Sequence, residues 1–274
     1  MNTSPVCTQL GVLTLFLSCL ASCAETPPPS TGTGAGLSAA QIERVGRRIW
    51  QNECSGTVAG LTSWNAGEDF ASLGIGHFIW YPQGRSGPFE ESFPPLMAFF
   101  NACGIATPAW TRGACPWPTK AAFEADKHGP RQQELRGLLS QTVRLQTEFI
   151  MARMERALPK MLAAVPTSER GRVSGMFQSL RMTQEGTFCL IDYVNFKGEG
   201  TSPKERYQGE GWGLLQVLSD MGRSPRRDTA GNVQFAEAAK RVLSRRVANA
   251  PPERKEQRWL AGWHNRCEGY QRSL

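Results

Sequence analysis

The chain has 274 residues, of which 40% are hydrophobic, 20% charged and 9% aromatic. That suffices for a sizeable core, in one domain or two small ones. It excludes a largely disordered chain, a collagen-like one and a polytopic membrane protein, because the one long apolar run is N-terminal. Lys and Arg number 31 against 24 acids, a formal charge of +7. Such an excess can favour polyanionic surroundings such as nucleic acid or cell wall. A solvated basic surface is the simpler reading, and no nucleic-acid partner is expected.

In chain order, residues 10–20 read LGVLTLFLSCL. The run is short for a membrane span and small residues follow it, so it reads as an export signal. Leu20-Ala21-Ser22-Cys23 resembles a bacterial lipobox. The resemblance implies a lipoprotein-type signal peptide over residues 1–22 and attachment to a membrane through a lipid anchor at Cys23. Ala24 follows rather than Asp, which by resemblance to Gram-negative lipoproteins implies the cell envelope, on the periplasmic side of the outer membrane. Residues 23–37, rich in Pro, Gly, Ser and Thr, read as a flexible tether. Residues 38–274 then form the folded domain, expected to be a monomer.

Of the 8 cysteines, Cys54, Cys103, Cys115, Cys189 and Cys267 lie beyond the signal region. Export permits disulfides. Cys103 and Cys115 bracket a short Pro/Gly/Trp loop and are a plausible pair, while sequence leaves the connectivity open. There is no C-x-x-C, and His77, His128 and His264 are far apart, so no metal or other cofactor is expected.

A helix starts after Ser38, where Ser38-x-x-Gln41 makes a capping box and Leu37 can staple onto Ile42. Ile42, Val45 and Ile49 share one face, and Gly56 is a natural stop. Glu53 therefore sits in the last turn. Residues 60–82, rich in Gly and aromatics with turn chemistry at Asn65 to Gly67, predict a short β-hairpin or meander. Alternation puts Asp69, Leu73 and Ile75 on a core-facing side. Glu68, Phe70, Ser72, Gly74 and Gly76 fall on the other side, which the glycines predict to be open for a ligand. Helices are predicted over residues 95–103, 132–139, 141–165, 168–182, 188–196, 213–221, 233–247 and 253–271. Residues 83–91, 104–118 and 197–211 read as Pro/Gly-rich excursions. Trp259, Trp263 and Tyr270 read as core. The fold class is α+β, mostly α: a helical lobe with a small β-hairpin subdomain flanking a cleft.

A carboxylate ending a helix, opposite a small sheet with a second acid and a hydroxyl, is equipment for cleaving a glycosidic bond. One acid must donate a proton to the leaving oxygen, and the other must stay ionised. Glu53 suits the first role, with Trp50, Trp64, Phe70 and Trp80 expected around it to favour the protonated form. Glu68 suits the second, beside Ser72, with Asp69 in reserve. Ser72 can hold the attacking water and His77 can orient Glu53 or a backbone carbonyl. Trp64, Trp80 and Tyr81 are candidates for stacking on sugar rings.

Glu53 followed by Ser72-Leu73-Gly74-Ile75-Gly76-His77 resembles the phage lysozyme (endolysin) family, over roughly residues 42–82. That family has a helix ending in a catalytic Glu, a β-hairpin with an Asp, then Thr-Ile-Gly-x-Gly-His. The resemblance implies a lysozyme-like catalytic domain, Glu53 as general acid, Ser72 in the place of the hydroxyl residue and His77 as the hairpin histidine. It implies peptidoglycan as the substrate. Six residues before Ser72 stands Ala66, where the family has its Asp, so the second carboxylate falls to Glu68 or Asp69. A second stretch, Glu199 and then Gly209-Glu210-Gly211-Trp212-Gly213-Leu214-Leu215-Gln216, resembles the Glu and Gly-Leu-Met-Gln elements of lytic transglycosylases. It places Glu199 in a Gly-rich loop rather than at a helix end, and makes Glu210 and Gln216 candidates for touching sugar. Chitosanase-like chemistry and a non-catalytic wall-binding lipoprotein remain the alternatives.

Overall fold

A computed structural model describes residues 36–87, 89–223 and 228–274. The signal peptide, Cys23 and the tether up to residue 35 lie outside the described residues. Among the described residues no helix is long and apolar enough to cross a membrane.

The expected capping box opens the first helix, α1 (Ala39–Cys54). Ser38 accepts from the Gln41 backbone N–H at 3.3 Å, and Gln41 accepts in return from the Ser38 N–H at 2.8 Å. Ile42, Val45 and Ile49 are fully buried, as the spacing requires. The helix stops where Ser55 turns left-handed and Gly56 closes back on the Trp50 carbonyl.

A three-stranded antiparallel sheet follows: β1 (Thr62–Ser63), β2 (Ala71–Leu73) and β3 (Phe78–Trp80), in the order β1-β2-β3. Ser72 pairs with Ser63 on one side and Ile79 on the other. The expected hairpin is therefore the β2–β3 half of a meander. The face expected to be open is covered. A side chain on Gly74 would collide with Gln146, and one on Gly76 with Phe78 and Ile150. These glycines let a helix approach the backbone closely; only Gly76 also borders a cavity.

The helical body comprises α2 (Phe93–Ala102), α3 (Lys120–Ala125), α4 (Pro130–Gln141), α5 (Val143–Ala163), α6 (Thr167–Arg181), α7 (Gln184–Lys197), α8 (Leu214–Arg223), α9 (Gly231–Asn249) and α10 (Gln257–Glu268). The molecule is thus mostly α with a small sheet. A two-stranded ladder, β4 (Arg206–Tyr207) with β5 (Glu210–Gly211), lies in the 197–211 excursion that was expected to be loop. One apolar cluster runs from Leu37 to Tyr270, with α5 packed on α1 and against the sheet through Phe78 and Phe149. All five cysteines outside the signal region are free, so the Cys103–Cys115 pair does not form. Tyr270 is core, but Trp259 is largely exposed, because α10 buries only its Cys267 stripe.

Candidate functional site

Glu53 comes from the last turn of α1, and its side chain is 17% exposed. The aromatic surroundings expected for it are spent elsewhere. The Trp50 indole donates to the Thr57 carbonyl, Trp64 to the Glu68 carbonyl and Trp80 to the Gly113 carbonyl, while Phe70 packs on Tyr81 and Phe89. Instead, Arg266 of α10 donates from Nη2 to Glu53 Oε1 at 2.7 Å. The same guanidinium grips Asp192 of α7 with two bonds of 2.9 Å, and Asp192 also accepts from Tyr270 at 2.6 Å and Asn52 at 3.0 Å. Asp192 is sealed, at 0% side-chain exposure. Burial alone would lower the Arg266 pKa. The hydrogen bonds and charge of Asp192, helped by Tyr270 and Glu53, outweigh it and raise the value above the ordinary one. Burial, with Asp192 beside it, pushes the Tyr270 hydroxyl well up. Arg266 and Asp192 were absent from the sequence reading, since 213 residues separate Arg266 from Glu53.

Next to Glu53, the Cys54 thiol points at the sheet. Its Sγ lies 3.6 Å from the Gly74 carbonyl and 3.8 Å from His77 Nε2. His77, left-handed at φ 47°, therefore neighbours this thiol rather than the Glu53 carboxylate. Burial first, and then the Glu53 charge, push the thiol pKa up to about 12, so Cys54 is no nucleophile near neutral pH.

Glu68 and Ser72 do meet, Ser72 Oγ donating to Glu68 Oε2 at 3.5 Å with Asn65 donating to the same oxygen at 3.1 Å. The turn before β2 brings them together rather than strand alternation, because the strand begins only at Ala71. Asp69 points away, at 76% exposure, to an ion pair with Arg85.

Trp64, Trp80 and Tyr81 are buried and cannot stack on sugar. Trp80 is fully enclosed by Phe93, Trp110 and Trp117, and Trp64 packs edge-on against Phe123. Large aromatic area beside a three-stranded sheet is taken up by the core before it can serve a ligand. Gln216 spends both ends of its amide on backbone, accepting from Gly213 N–H at 2.9 Å and donating to the Gly200 carbonyl at 3.1 Å. It clamps the Gly-rich loop to the start of α8. Exposed Glu210 lines a shallow pocket with Arg206 and Arg245, apart from the sheet.

A cavity of about 370 Å³ lies where the sheet meets the helical body. Gly76 and Phe78 border it on the sheet side, one face of α5 forms its length, and Asn195 and Glu199 close the far end. Glu53 is not among its lining residues. Glu199, expected in mid-loop, stands two residues beyond the end of α7 and pairs with Lys160 of α5 at 3.5 Å. The α5 lining was missed because helical periodicity marks a buried stripe but cannot say that its flank borders a cavity. Among the described residues no group of three or more His, Cys, Asp or Glu is arranged to hold a metal ion. Compared with known proteins, the chain matches no family model, no curated protein and no solved structure.

Proposed function

We propose that the protein is a lysozyme-like glycosidase that hydrolyses the glycan strand of peptidoglycan with Glu53 as general acid. One observation carries the reading: a part-exposed helix-end carboxylate whose neighbour Cys54 abuts Gly74 and His77 of the sheet that also bears Glu68 and Ser72. Glu53 and Asp192 are two carboxylates facing one guanidinium, so one negative charge in the trio is unmatched. Asp192 is sealed and takes four hydrogen bonds, while Glu53 accepts one from Arg266 and is the more exposed of the two carboxylates. Arg266 positions that carboxylate. Glu68, half-buried beside Ser72, is placed to stabilise positive charge on the sugar or to activate water held by Ser72. Lipidation at Cys23 and residence in the periplasm at the outer membrane belong to the same proposal, since they would put such an enzyme beside its polymer.

A second reading rests on Glu199, which stands just past α7, borders the cavity and is followed by the clamped Gly213 to Gln216 segment; it favours transglycosylase chemistry. One experiment separates them. Purified protein, Glu53→Gln and Glu199→Gln are each incubated with peptidoglycan and the released muropeptides weighed. The hydrolase reading expects reducing ends, lost in Glu53→Gln. Anhydro ends, lost in Glu199→Gln, support the transglycosylase. No release by the wild type, with the protein still pelleting on the wall, leaves a binding module.

A further inference from the structure

One face of α5 carries Arg153, Arg156 and Lys160 along the cavity, at the i, i+3, i+7 spacing that aligns side chains on a helix. The stripe is about 10 Å long at 1.5 Å per residue. Beneath it the cavity floor is apolar, with Phe78, Met154 and Met161. Two carboxylates answer the three cations. Glu90 meets Arg153 from the loop after β3 at 3.0 Å, and Glu199 meets Lys160 from beyond α7 at 3.5 Å. Glu90 and Lys160 are largely exposed, so both pairs are solvated and exchange readily with a competing anion. Arg156 is exposed and has no ionic partner among the described residues. A groove with an apolar floor and a cationic wall, one charge in excess, is complementary to a chain that alternates ring faces with carboxylates.

We propose that Arg153 and Arg156 are specificity-determining residues that receive carboxylates borne by the wall polymer, so that the protein selects a carboxylate-bearing wall over a neutral one. The inference rests on the glycan-cleaving reading for the identity of the polymer, and on the α5 stripe for its charge. Guanidinium groups suit the role because their forked donors match a carboxylate with two parallel bonds. Lys160 is held more closely to the fold by Glu199 and contributes charge rather than a fork.

The test uses binding, so that it does not depend on turnover. Full-length Glu53→Gln protein is pelleted with insoluble peptidoglycan, either untreated or with its carboxylates chemically converted to amides. The expected result is binding about tenfold tighter to the untreated wall, the size of one charge-assisted hydrogen bond, and a preference that shrinks as salt rises. Arg153→Gln with Arg156→Gln, added together, should bring binding to the untreated wall down to the amidated level. Arg131→Gln, an exposed cation of α4 outside the cavity, should leave the preference intact. Equal binding to both walls overturns the proposal, as does a double variant that keeps the preference. Retained muropeptide release by Glu53→Gln overturns the catalytic reading alone and leaves this one standing.

Discussion

Two clusters of opposite charge, carried by helices that pack on one another, are built on different terms. Around Arg266, Glu53 and Asp192 converge on one guanidinium, Tyr270 donates to Asp192 from behind, and Asp192 has no exposed surface. Along α5, Arg153 and Lys160 pair directly with Glu90 and Glu199 at the solvent-exposed surface. In the first cluster low local polarity strengthens every bond and makes any unpaired member costly. In the second, solvent screens the pairs and leaves each cation available. The molecule uses a sealed charge to hold a side chain still, and leaves the charges along α5 open to solvent.

Removing the sealed member breaks this contrast most severely. Asp192→Ala strands the buried side of Arg266 and two other donors, Asn52 and Tyr270, and should cost about 3–5 kcal/mol of stability by urea unfolding. A loss below about 1 kcal/mol would show that the cluster is wetter than its burial implies. Glu53→Gln should behave differently at the same guanidinium. Arg266 keeps Asp192, so stability should change by less than about 1 kcal/mol. Muropeptide release should fall by about 10²–10⁴-fold, the usual contribution of a general acid.

Lys197, at the end of α7, sharpens the comparison by pH. Its ammonium lies 3.6 Å from the centre of the Trp263 ring and 4.1 Å from that of Phe196. Burial, and then the charge of Arg246, lower its pKa to about 7. The unfolded chain therefore binds more protons than the folded one between about pH 7 and 10, and stability contributed by this site rises with pH in that window. Urea midpoints measured from pH 7 to 8.5, below the thiol range, should increase for the wild type and flatten in Lys197→Met. A midpoint that falls as steeply in both would exclude the lysine as the cause. The smallest effect belongs to the open stripe. A double-mutant cycle on Arg153 and Glu90 should yield a coupling under about 1 kcal/mol that disappears in high salt.

Local signals carried a large part of the fold. The Ser38–Gln41 box, the Ile42/Val45/Ile49 face and the stop at Gly56 all appear as the residues require, because each acts within a few positions. The helix expected over residues 253–271 shortens to α10, since Pro251 and Pro252 hold the chain before it in a separate turn. Of the site, the Glu68–Ser72 contact was legible, and the surroundings of Glu53 were not. Tryptophans close in sequence were expected to enclose it, but each found a backbone carbonyl or a core neighbour of its own.

By itself, then, the sequence determined most of the helical segments (though not α3), where α1 ends, and that an acid, a hydroxyl and a histidine follow one another across a turn-rich stretch. Those properties depend on near neighbours, through hydrogen bonds and side-chain periodicity. Only the tertiary structure decided that Arg266 closes on Glu53, that Asp192 is sealed behind it, and that the flank of α5 borders a cavity. Such pairings are set by how distant helices pack, and the burial that gives each charge its strength exists only once they have done so.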